Sequence, residues 1–346
     1  MPKIKLGVLG IDHGHIFNML GNMLGCGCVC EQWWSDGPAV TEKEFVSRFP
    51  DLKRADSRQR ILDDPDVSII LISAVPEDRA ALAIEAMRAG KDVMVDKPGC
   101  TTLDQLAEIR RTVAETGRIW SVNFSERFEV PAVVKAEELV AAGAIGKVKQ
   151  TLGTGPHQQA LSERPPWYFQ RKRFGGILCD IGSHQIDQFL FFTGSTTVNI
   201  SHALVENTTR PEHPEFQDFG EVVLNGDQGH GYVRVDWFTP DALGVWGDGR
   251  LTILGDEGYI ELRKYIDVGR DSTPNNLYLA NNNKVERIDC NDVALTYSPR
   301  LIADVLDRTE TAVIQEHTFM TMELAIRAQM LAEKPNDSEL TRVVRS

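Results

Sequence analysis

Asp180, His184 and Asp187 are spaced four and three residues apart in Gly175-Gly176-Ile177-Leu178-Cys179-Asp180-Ile181-Gly182-Ser183-His184-Gln185-Ile186-Asp187. Positions i, i+4 and i+7 share one face of a helix, so this spacing predicts an imidazole flanked by two carboxylates. A carboxylate beside a histidine can fix the ring's tautomer and orient it for proton transfer. The same pattern is as common in plain surface ion pairs, so it needs support from elsewhere in the chain. The paired glycines ahead of it would allow a tight turn or the close approach of another group. Asp96-Lys97-Pro98 supplies a second set at the end of a strand. Lys97 there is either a hydrogen-bond donor to a reacting oxygen or a snorkelling strand-end lysine.

The segments that must hold these residues alternate in type. Lys3–Gly10 reads as a strand, followed by a helix whose apolar stripe is Ile16, Phe17, Leu20, Met23 and Leu24 and which Gly25 closes. Val29–Ser35 reads as a strand and Thr41–Phe49 as a helix opened by Thr41, with Glu44 at the capping-box spacing. Val67–Ser73 is a β-branched run of the kind buried on both faces, then Glu77–Ala89 a helix, Lys91–Asp96 a strand, Leu103–Thr116 a helix and Ile119–Asn123 a strand. This alternation implies a doubly wound parallel sheet, which binds ligands at the carboxyl ends of its strands. Gly10, Ser73–Pro76 and Asp96–Pro98 all fall at such ends.

After Asn123 the pattern changes. A helix over Pro131–Ala142 precedes a strand over Lys147–Gly153, and the Asp180 helix runs to Thr193-Gly194. Short alternating strands follow at Thr197–Val205, Gly220–Leu224, Gly229–Phe238, Arg250–Leu254, Tyr259–Arg263 and Leu277–Leu279, separated by Gly- and Asp-rich turns. Thr309–Glu333 closes the chain as a helical region, with Pro335 beyond it. The expected architecture is therefore α/β plus α+β. Residues 1–123 form a Rossmann-type domain, and residues 124–346 carry an open, largely antiparallel sheet for substrate binding and oligomerisation. A sheet covered on one side only leaves a face for self-association, with Val222–Leu224 and Tyr232–Trp237 as candidate interface residues.

Bulk composition narrows the function. A chain of 346 residues with 42% hydrophobic and 25% charged residues fits a two-domain globular protein. Fifty acidic residues against 37 basic ones give a net charge of −13, which opposes nucleic-acid binding. No stretch is apolar enough to suggest a membrane span, and the N-terminal run reads as a strand and not a signal peptide. Six cysteines in this length do not suggest a disulfide framework. Cys26, Cys28 and Cys30 alternate as on a strand, where buried free thiols are favoured over a metal site. A reducing, cytoplasmic setting is expected.

The first strand–helix turn is unusual. A dinucleotide fingerprint starting at Gly10 would put Asp12 and His15 where the second and third glycines belong. An Asp there turns a negative charge toward a pyrophosphate. Three readings stay open: Asp12 caps the helix and the loop still binds a dinucleotide; Asp12, His13 and His15 ligate a metal; or cofactor binding is lost. The first is favoured, with no metal.

Taken together these motifs resemble the glucose–fructose oxidoreductase / inositol dehydrogenase (Gfo/Idh/MocA) family of nicotinamide-dependent oxidoreductases over nearly the whole length. The likeness rests on the N-terminal β-α-β unit, Asp96-Lys97-Pro98 in place of the family's E-K-P, and Arg127 in Asn123-Phe124-Ser125-Glu126-Arg127-Phe128. It also rests on the Gly-Gly-x-x-x-Asp-x-x-x-His block, Gly143-Ala144-Ile145-Gly146-Lys147 and Pro166-Trp167-Tyr168-Phe169. The resemblance implies Lys97, Asp180 and His184 as the catalytic set, converging on a nicotinamide. His184 would be the general base steadied by Asp180, and Lys97 the donor to the alcohol oxygen. It implies a cofactor site at Gly10, Ile11, Asp12, His13, His15, Ser35, Asp36, Ala74, Pro76, Asp96 and Lys97, for NAD with NADP not excluded. Arg127, His157, Trp167 and Tyr168 are candidates to line a sugar or polyol site. A homodimer or homotetramer is implied. Three departures stand out: Asp12 and His15 in the loop, Asp96 for Glu, and Pro76-Glu77-Asp78-Arg79-Ala80 where the family has P-N-x-x-H.

Overall fold

A computed structural model describes residues 4–159, 164–334 and 340–345. The elements run β1 (Lys5–Ile11), α1 (Ile16–Gly25), β2 (Val29–Trp34), α2 (Glu42–Arg48), β3 (Lys53–Arg54), α3 (Arg58–Leu62), β4 (Val67–Ser73), α4 (Pro76–Arg88), β5 (Asp92–Asp96), α5 (Leu103–Thr116) and β6 (Trp120–Asn123). Then come α6 (Ser125–Phe128), α7 (Pro131–Ala141), β7 (Val148–Pro156), α8 (Arg171–Phe174), α9 (Ile177–Asp180), α10 (Gly182–Thr193), β8 (Thr197–Glu206), β9 (Phe219–Gly226) and β10 (His230–Asp236). The chain finishes with β11 (Arg250–Gly255), β12 (Gly258–Arg263), β13 (Asn276–Asn281), β14 (Val285–Asp289), α11 (Tyr297–Asp307), α12 (Gln315–Glu333) and β15 (Arg342–Val344). The expected Lys3 strand start and Pro335 lie outside the described residues. Among the described residues no helix is long and apolar enough to cross a membrane.

Two compact units result. The first takes residues 1–123 together with 172–175 and 297–319, and the second takes the remainder. In the first, six parallel strands lie in the order β3-β2-β1-β4-β5-β6, so the strand order reverses between β1 and β4. The central strands are buried almost throughout, as both-face coverage by helices requires. Residues 297–319 join this unit because β6 is an edge strand with unpaired backbone groups. The Gln315 side chain meets both of them, accepting from Trp120 N at 3.0 Å and donating to Trp120 O at 2.8 Å. Arg308 adds a two-pronged ion pair to buried Asp92, at 2.8 and 2.9 Å. The helix at Tyr297–Asp307 escaped the sequence reading, which began the closing helical region at Thr309.

The second unit is built on nine strands in the order β14-β13-β12-β11-β7-β10-β9-β8-β15, antiparallel except for the β7–β10 pair. α10 lies on β7 and β10 at a distance only glycine permits. A Cβ at Gly153 would stand 2.8 Å from the Gln185 side chain, one at Gly155 2.7 Å from its amide, and one at Gly231 2.7 Å from Phe189. Strand interiors disfavour glycine, so its use here reflects this close approach.

Several expectations are corrected. Val222, Leu224, Val233, Val235 and Trp237, expected on an open interface, are buried. Much of the opposite face is polar: Tyr232 donates to Glu221 at 2.8 Å and Arg263 pairs with Glu261 at 2.7 Å, with Leu152, Leu254 and Tyr259 exposed nearby in the sheet. Thr41 precedes α2 without capping it, and its hydroxyl donates to the Ile11 carbonyl instead. Cys26 ends α1 and is exposed, so the three clustered cysteines do not share a strand face. Burial pushes the Cys28 thiol up to about 11 and the Cys30 thiol up to about 12, as for inert thiols.

The glycine packing makes a direct prediction. Gly155→Val must push α10 off β7 or shift the Gln185 side chain, and overpacking of this kind costs about 1–3 kcal/mol. Urea unfolding should show a lowered midpoint with an unchanged slope, and a wild-type midpoint would refute the packing argument.

Candidate functional site

In the first unit the polar residues gather at the carboxyl edge of the parallel sheet. Gly10, at φ +77°, turns the chain as β1 ends, and a Cβ there would collide with Ala74 at 2.5 Å. This close crossing brings the loop against the end of β4, where His13 N donates to the Ser73 carbonyl at 3.2 Å. It also brings His13 and His15 onto Asp96, the last residue of β5. The His15 Nδ1 lies 2.7 Å from Asp96 Oδ1, and His13 Nδ1 lies 3.0 Å from Oδ2. Ser73 Oγ at 3.2 Å and Arg79 Nη2 at 2.8 Å also meet Oδ2. Arg79 is fully buried. Its Nε donates to the Ala74 carbonyl at 2.7 Å and its Nη1 to the carbonyls of Lys97 and Pro98, so it ties the ends of β4 and β5 together.

Burial opposes ionisation of Asp96, but the Arg79 guanidinium and then the two imidazoles outweigh it and hold the carboxyl well below the usual range. The three departures from the family pattern thus meet in space. The loop histidine, the shortened acid and the arginine of Pro76-Glu77-Asp78-Arg79-Ala80 are partners in one network.

Asp12 behaves differently from expectation. The residue preceding α1 is His15, no side chain caps that helix, and Asp12 is therefore not its cap. Burial pushes the Asp12 carboxyl up to about 6, with Arg79 and Arg173 opposing and Asp78 adding to the shift. Nor does Asp12 join the two histidines as a donor cluster; Asp96 does. Pro76 is the first residue of α4, and Ile11 is a buried residue at the end of β1.

Two features of this edge fit a dinucleotide. Ser35 Oγ, just past β2, is buried with no hydrogen-bond partner, and a Cβ at Gly14 would meet nothing within 4 Å, leaving room above the N-terminus of α1. Asp36 beside Ser35 is exposed. An arginine stands here that a reading of neighbouring positions missed. Arg54, from β3, donates to the Ser35 carbonyl at 3.2 Å and the Gly37 carbonyl at 2.9 Å while pairing with Glu42 at 2.9 Å. Its contact with β2 comes from sheet pairing, not from sequence proximity.

In the second unit the Asp180–His184 block is two helices in near continuity, not one. α9 ends at Asp180, and the His184 amide donates back to Ile181 at 3.1 Å as α10 begins. The first amides of α9 are met by glutamines: Ile177 N donates to Gln217 at 3.0 Å and Leu178 N to Gln329 at 3.0 Å, and the two glutamines bond each other at 3.0 Å. Gly176, at φ +90°, makes this possible, because a Cβ would lie 2.2 Å from the Gln329 amide carbon. Asp180 is thereby held with its Oδ2 accepting from the Tyr168 hydroxyl at 2.8 Å. His184 is buried, with the Phe124 ring edge-on at 6.4 Å.

Asp187 and Arg127 take a different role from that expected of Arg127. They form a two-pronged buried pair, Nε to Oδ2 at 2.6 Å and Nη2 to Oδ1 at 2.7 Å, with the guanidinium over the Phe128 and Phe191 rings. This pair fixes α6 to α10. Around Tyr168 stands an aromatic wall. Trp237 lies edge-on at 5.4 Å and Trp167 tilted at 5.3 Å. His157 contacts Trp237 at 5.4 Å and Trp246 at 4.5 Å. Trp246, Trp237 and Arg164, whose guanidinium lies 4.5 Å from both the Tyr168 and Trp237 rings, were not foreseen as site residues. They come from loops after β7 and β10, which only the parallel pairing of those strands brings together.

Residues 34–124 match the family model described as "Oxidoreductase family, NAD-binding Rossmann fold", and residues 133–261 match the "GFO/IDH/MocA C-terminal domain". The chain is 27% identical over 239 residues to scyllo-inositol 2-dehydrogenase (NAD(+)) of Bacillus subtilis strain 168, covering 68% of this chain and 64% of that protein. It is 30% identical over 201 residues to levoglucosan dehydrogenase of Pseudarthrobacter phenanthrenivorans, covering 56% and 50%. The matches thus span about half to two-thirds of these relatives' lengths. A crystal structure from Erwinia carotovora atroseptica SCRI1043, of a protein provisionally classed as an oxidoreductase, superposes with a TM-score of 0.92 at 44% identity, covering 95% of this chain and 99% of that one.

The Asp96 network can be tested without any substrate. Arg79→Met leaves a buried carboxylate without its cation, and breaking such a pair costs about 3–5 kcal/mol. Adding Asp96→Asn in the same chain should recover part of that loss. Additive losses in the two single variants and the double variant, measured by urea unfolding, would show that the pair is not coupled.

Proposed function

The chain belongs to the Gfo/Idh/MocA oxidoreductase family, and from that premise we propose that it is an NAD-dependent dehydrogenase. Its substrate is a secondary alcohol of a cyclic polyol, sugar or sugar derivative. The observation that carries this reading is the Asp180–Tyr168 contact at 2.8 Å, on a helix fixed by Gln217 and Gln329, one turn before buried His184 and beside an aromatic wall. Aromatic faces of this kind stack on sugar rings while polar edges bond hydroxyls. The inositol and levoglucosan dehydrogenases among the relatives support the substrate class.

When bound, the nicotinamide supplies the hydride acceptor. The protein's part is proton transfer and positioning. His184 takes the hydroxyl proton as the C–H bond breaks. Asp180, oriented by the Tyr168 hydroxyl, favours the protonated imidazole that forms. Lys97 donates a hydrogen bond to the substrate oxygen and stabilises its alkoxide character. His157, Trp167 and Trp246 contribute ring faces and edges for substrate contact, while Arg127 acts through Asp187 to hold α10.

The cofactor preference follows from charge at the end of β2. Asp36 and Glu42 carry negative charge there, while Arg54 and Arg58, the cations beside the end of β2, are already engaged by Glu42 at 2.9 Å and by Glu85 at 2.8 Å. A ribose 2′-hydroxyl is therefore preferred to a 2′-phosphate.

Two outcomes are expected. On a substrate identified from a polyol and sugar panel, His184→Ala and Lys97→Ala should each lower kcat by roughly 10²–10⁴-fold, the usual worth of general acid–base catalysis, with NADH affinity changed only several-fold. Full turnover in either variant removes that residue from the mechanism. Calorimetric titration should give tighter binding of NADH than of NADPH. Asp12→Asn, which removes a negative charge from the loop between β1 and α1, should tighten both. The opposite preference, or weaker binding by the Asn variant, overturns this account of the loop.

A further inference from the structure

We propose that His13, His15 and Asp96 form a three-ligand site for a divalent transition-metal ion at the carboxyl edge of the parallel sheet. The donor atoms, two imidazole nitrogens and a carboxylate, all lie within 4.8 Å of one another. The nearest separations, 3.0 Å from His13 Nδ1 and 2.7 Å from His15 Nδ1 to the carboxylate oxygens, are close to those of neighbouring ligands around one ion at roughly 2.0–2.2 Å. Two imidazoles and one carboxylate select zinc, manganese, iron, cobalt or nickel. Magnesium and calcium favour all-oxygen sets.

The environment is built for such a site. Asp96 has no exposed side-chain surface and is fixed at the end of a central strand, while the two imidazoles retain 20% and 27% of theirs. The carboxylate anchors the ion and the imidazoles stand at the mouth, leaving coordination positions open toward solvent. Arg79 at 2.8 Å and Ser73 at 3.2 Å bond Oδ2 from behind and fix its orientation, as outer partners of metal ligands commonly do. Arg79 already balances the Asp96 charge, so the ion adds positive charge locally. In the metal-free chain the same contacts are hydrogen bonds from the rings to the carboxylate.

This site accounts for a coincidence that dinucleotide binding alone leaves unexplained. His15 replaces a small loop residue, Asp96 shortens a Glu, and Arg79 lies within a segment that lacks the family's Asn and His. Each departure places one component of the same constellation: a nitrogen ligand, an oxygen ligand of the right reach, and the cation that holds that ligand in place. The site stands apart from the dehydrogenase reading, because its test is ion binding to the resting chain.

The full-length protein, stripped by chelator dialysis, is titrated calorimetrically with Zn²⁺, Mn²⁺ and Mg²⁺. One Zn²⁺ or Mn²⁺ per chain should bind saturably, and Mg²⁺ should not compete. His13→Ala and His15→Ala should each weaken binding at least about tenfold while leaving the melting temperature near that of the parent; these partly exposed rings are preferred to buried Asp96, whose loss could unfold the chain. A Co²⁺ spectrum without a thiolate charge-transfer band separates this site from Cys26, Cys28 and Cys30. No saturable binding, equal binding by the parent and both histidine variants, or a thiolate band that accounts for all bound cobalt would each overturn the proposal.

Discussion

The ion pair between Asp96 and Arg79 is the interaction on which the first unit's ligand edge depends. Both groups are removed from water, so loss of either member leaves the other as a buried charge without its main counter-charge. Their geometry reaches well beyond the pair. Through its other nitrogens Arg79 holds the carbonyls of Ala74, Lys97 and Pro98, which fixes the ends of two adjacent strands. Asp96 in turn holds the two loop histidines, His13 on the oxygen that Arg79 also meets and His15 on the other, and so sets the path from β1 into α1. Remove the charge on either member and the loop, the strand ends and the backbone that carries Lys97 lose a common anchor.

The second unit solves a different problem, how to hold Asp180 and His184 in place near a helix start. Helix termini have unpaired amides, and the first turn of α9 carries Asp180. Two glutamine side chains from distant elements, Gln217 before β9 and Gln329 in α12, satisfy those amides and each other. The close seat of α10 on Gly153, Gly155 and Gly231 then fixes the rotation of the helix that follows. Asp187, locked to Arg127, prevents that rotation from drifting. The glutamines at the start of α9, the glycines under α10 and the Arg127–Asp187 pair together hold Asp180 and His184 in a fixed setting.

Much of this was readable in the residues. Val67–Ser73 and Leu103–Thr116 match their observed limits because a continuous β-branched run and a capped amphipathic run each have one low-energy solution. Thr102, which the sequence reading did not single out, caps α5 by accepting from Gln105 N. Thr41 shows the limit of that logic. Its local pattern is as good, but the end of β1 lies close by, and the Ile11 carbonyl takes its hydroxyl. Asp12 fails for a different reason: α1 begins at Ile16, so the cap position falls at His15, three residues beyond it.

The sequence by itself determined the periodic features: the alternation that makes a parallel sheet, the switch to short strands after Asn123, and the Gly-Gly-x-x-x-Asp-x-x-x-His block with its family likeness. These depend on neighbours in the chain, where the pattern of side chains and the backbone's own hydrogen bonds are decided together. Only tertiary structure decided the partners. Arg127 could have met a sugar hydroxyl but meets Asp187, and Trp237 could have faced an open sheet surface but packs on Tyr168. His13 and His15 could have stood alone but share a carboxylate more than eighty residues away. A buried charge or donor takes the partner that strand order and crossover place within reach, and no local spacing encodes that choice.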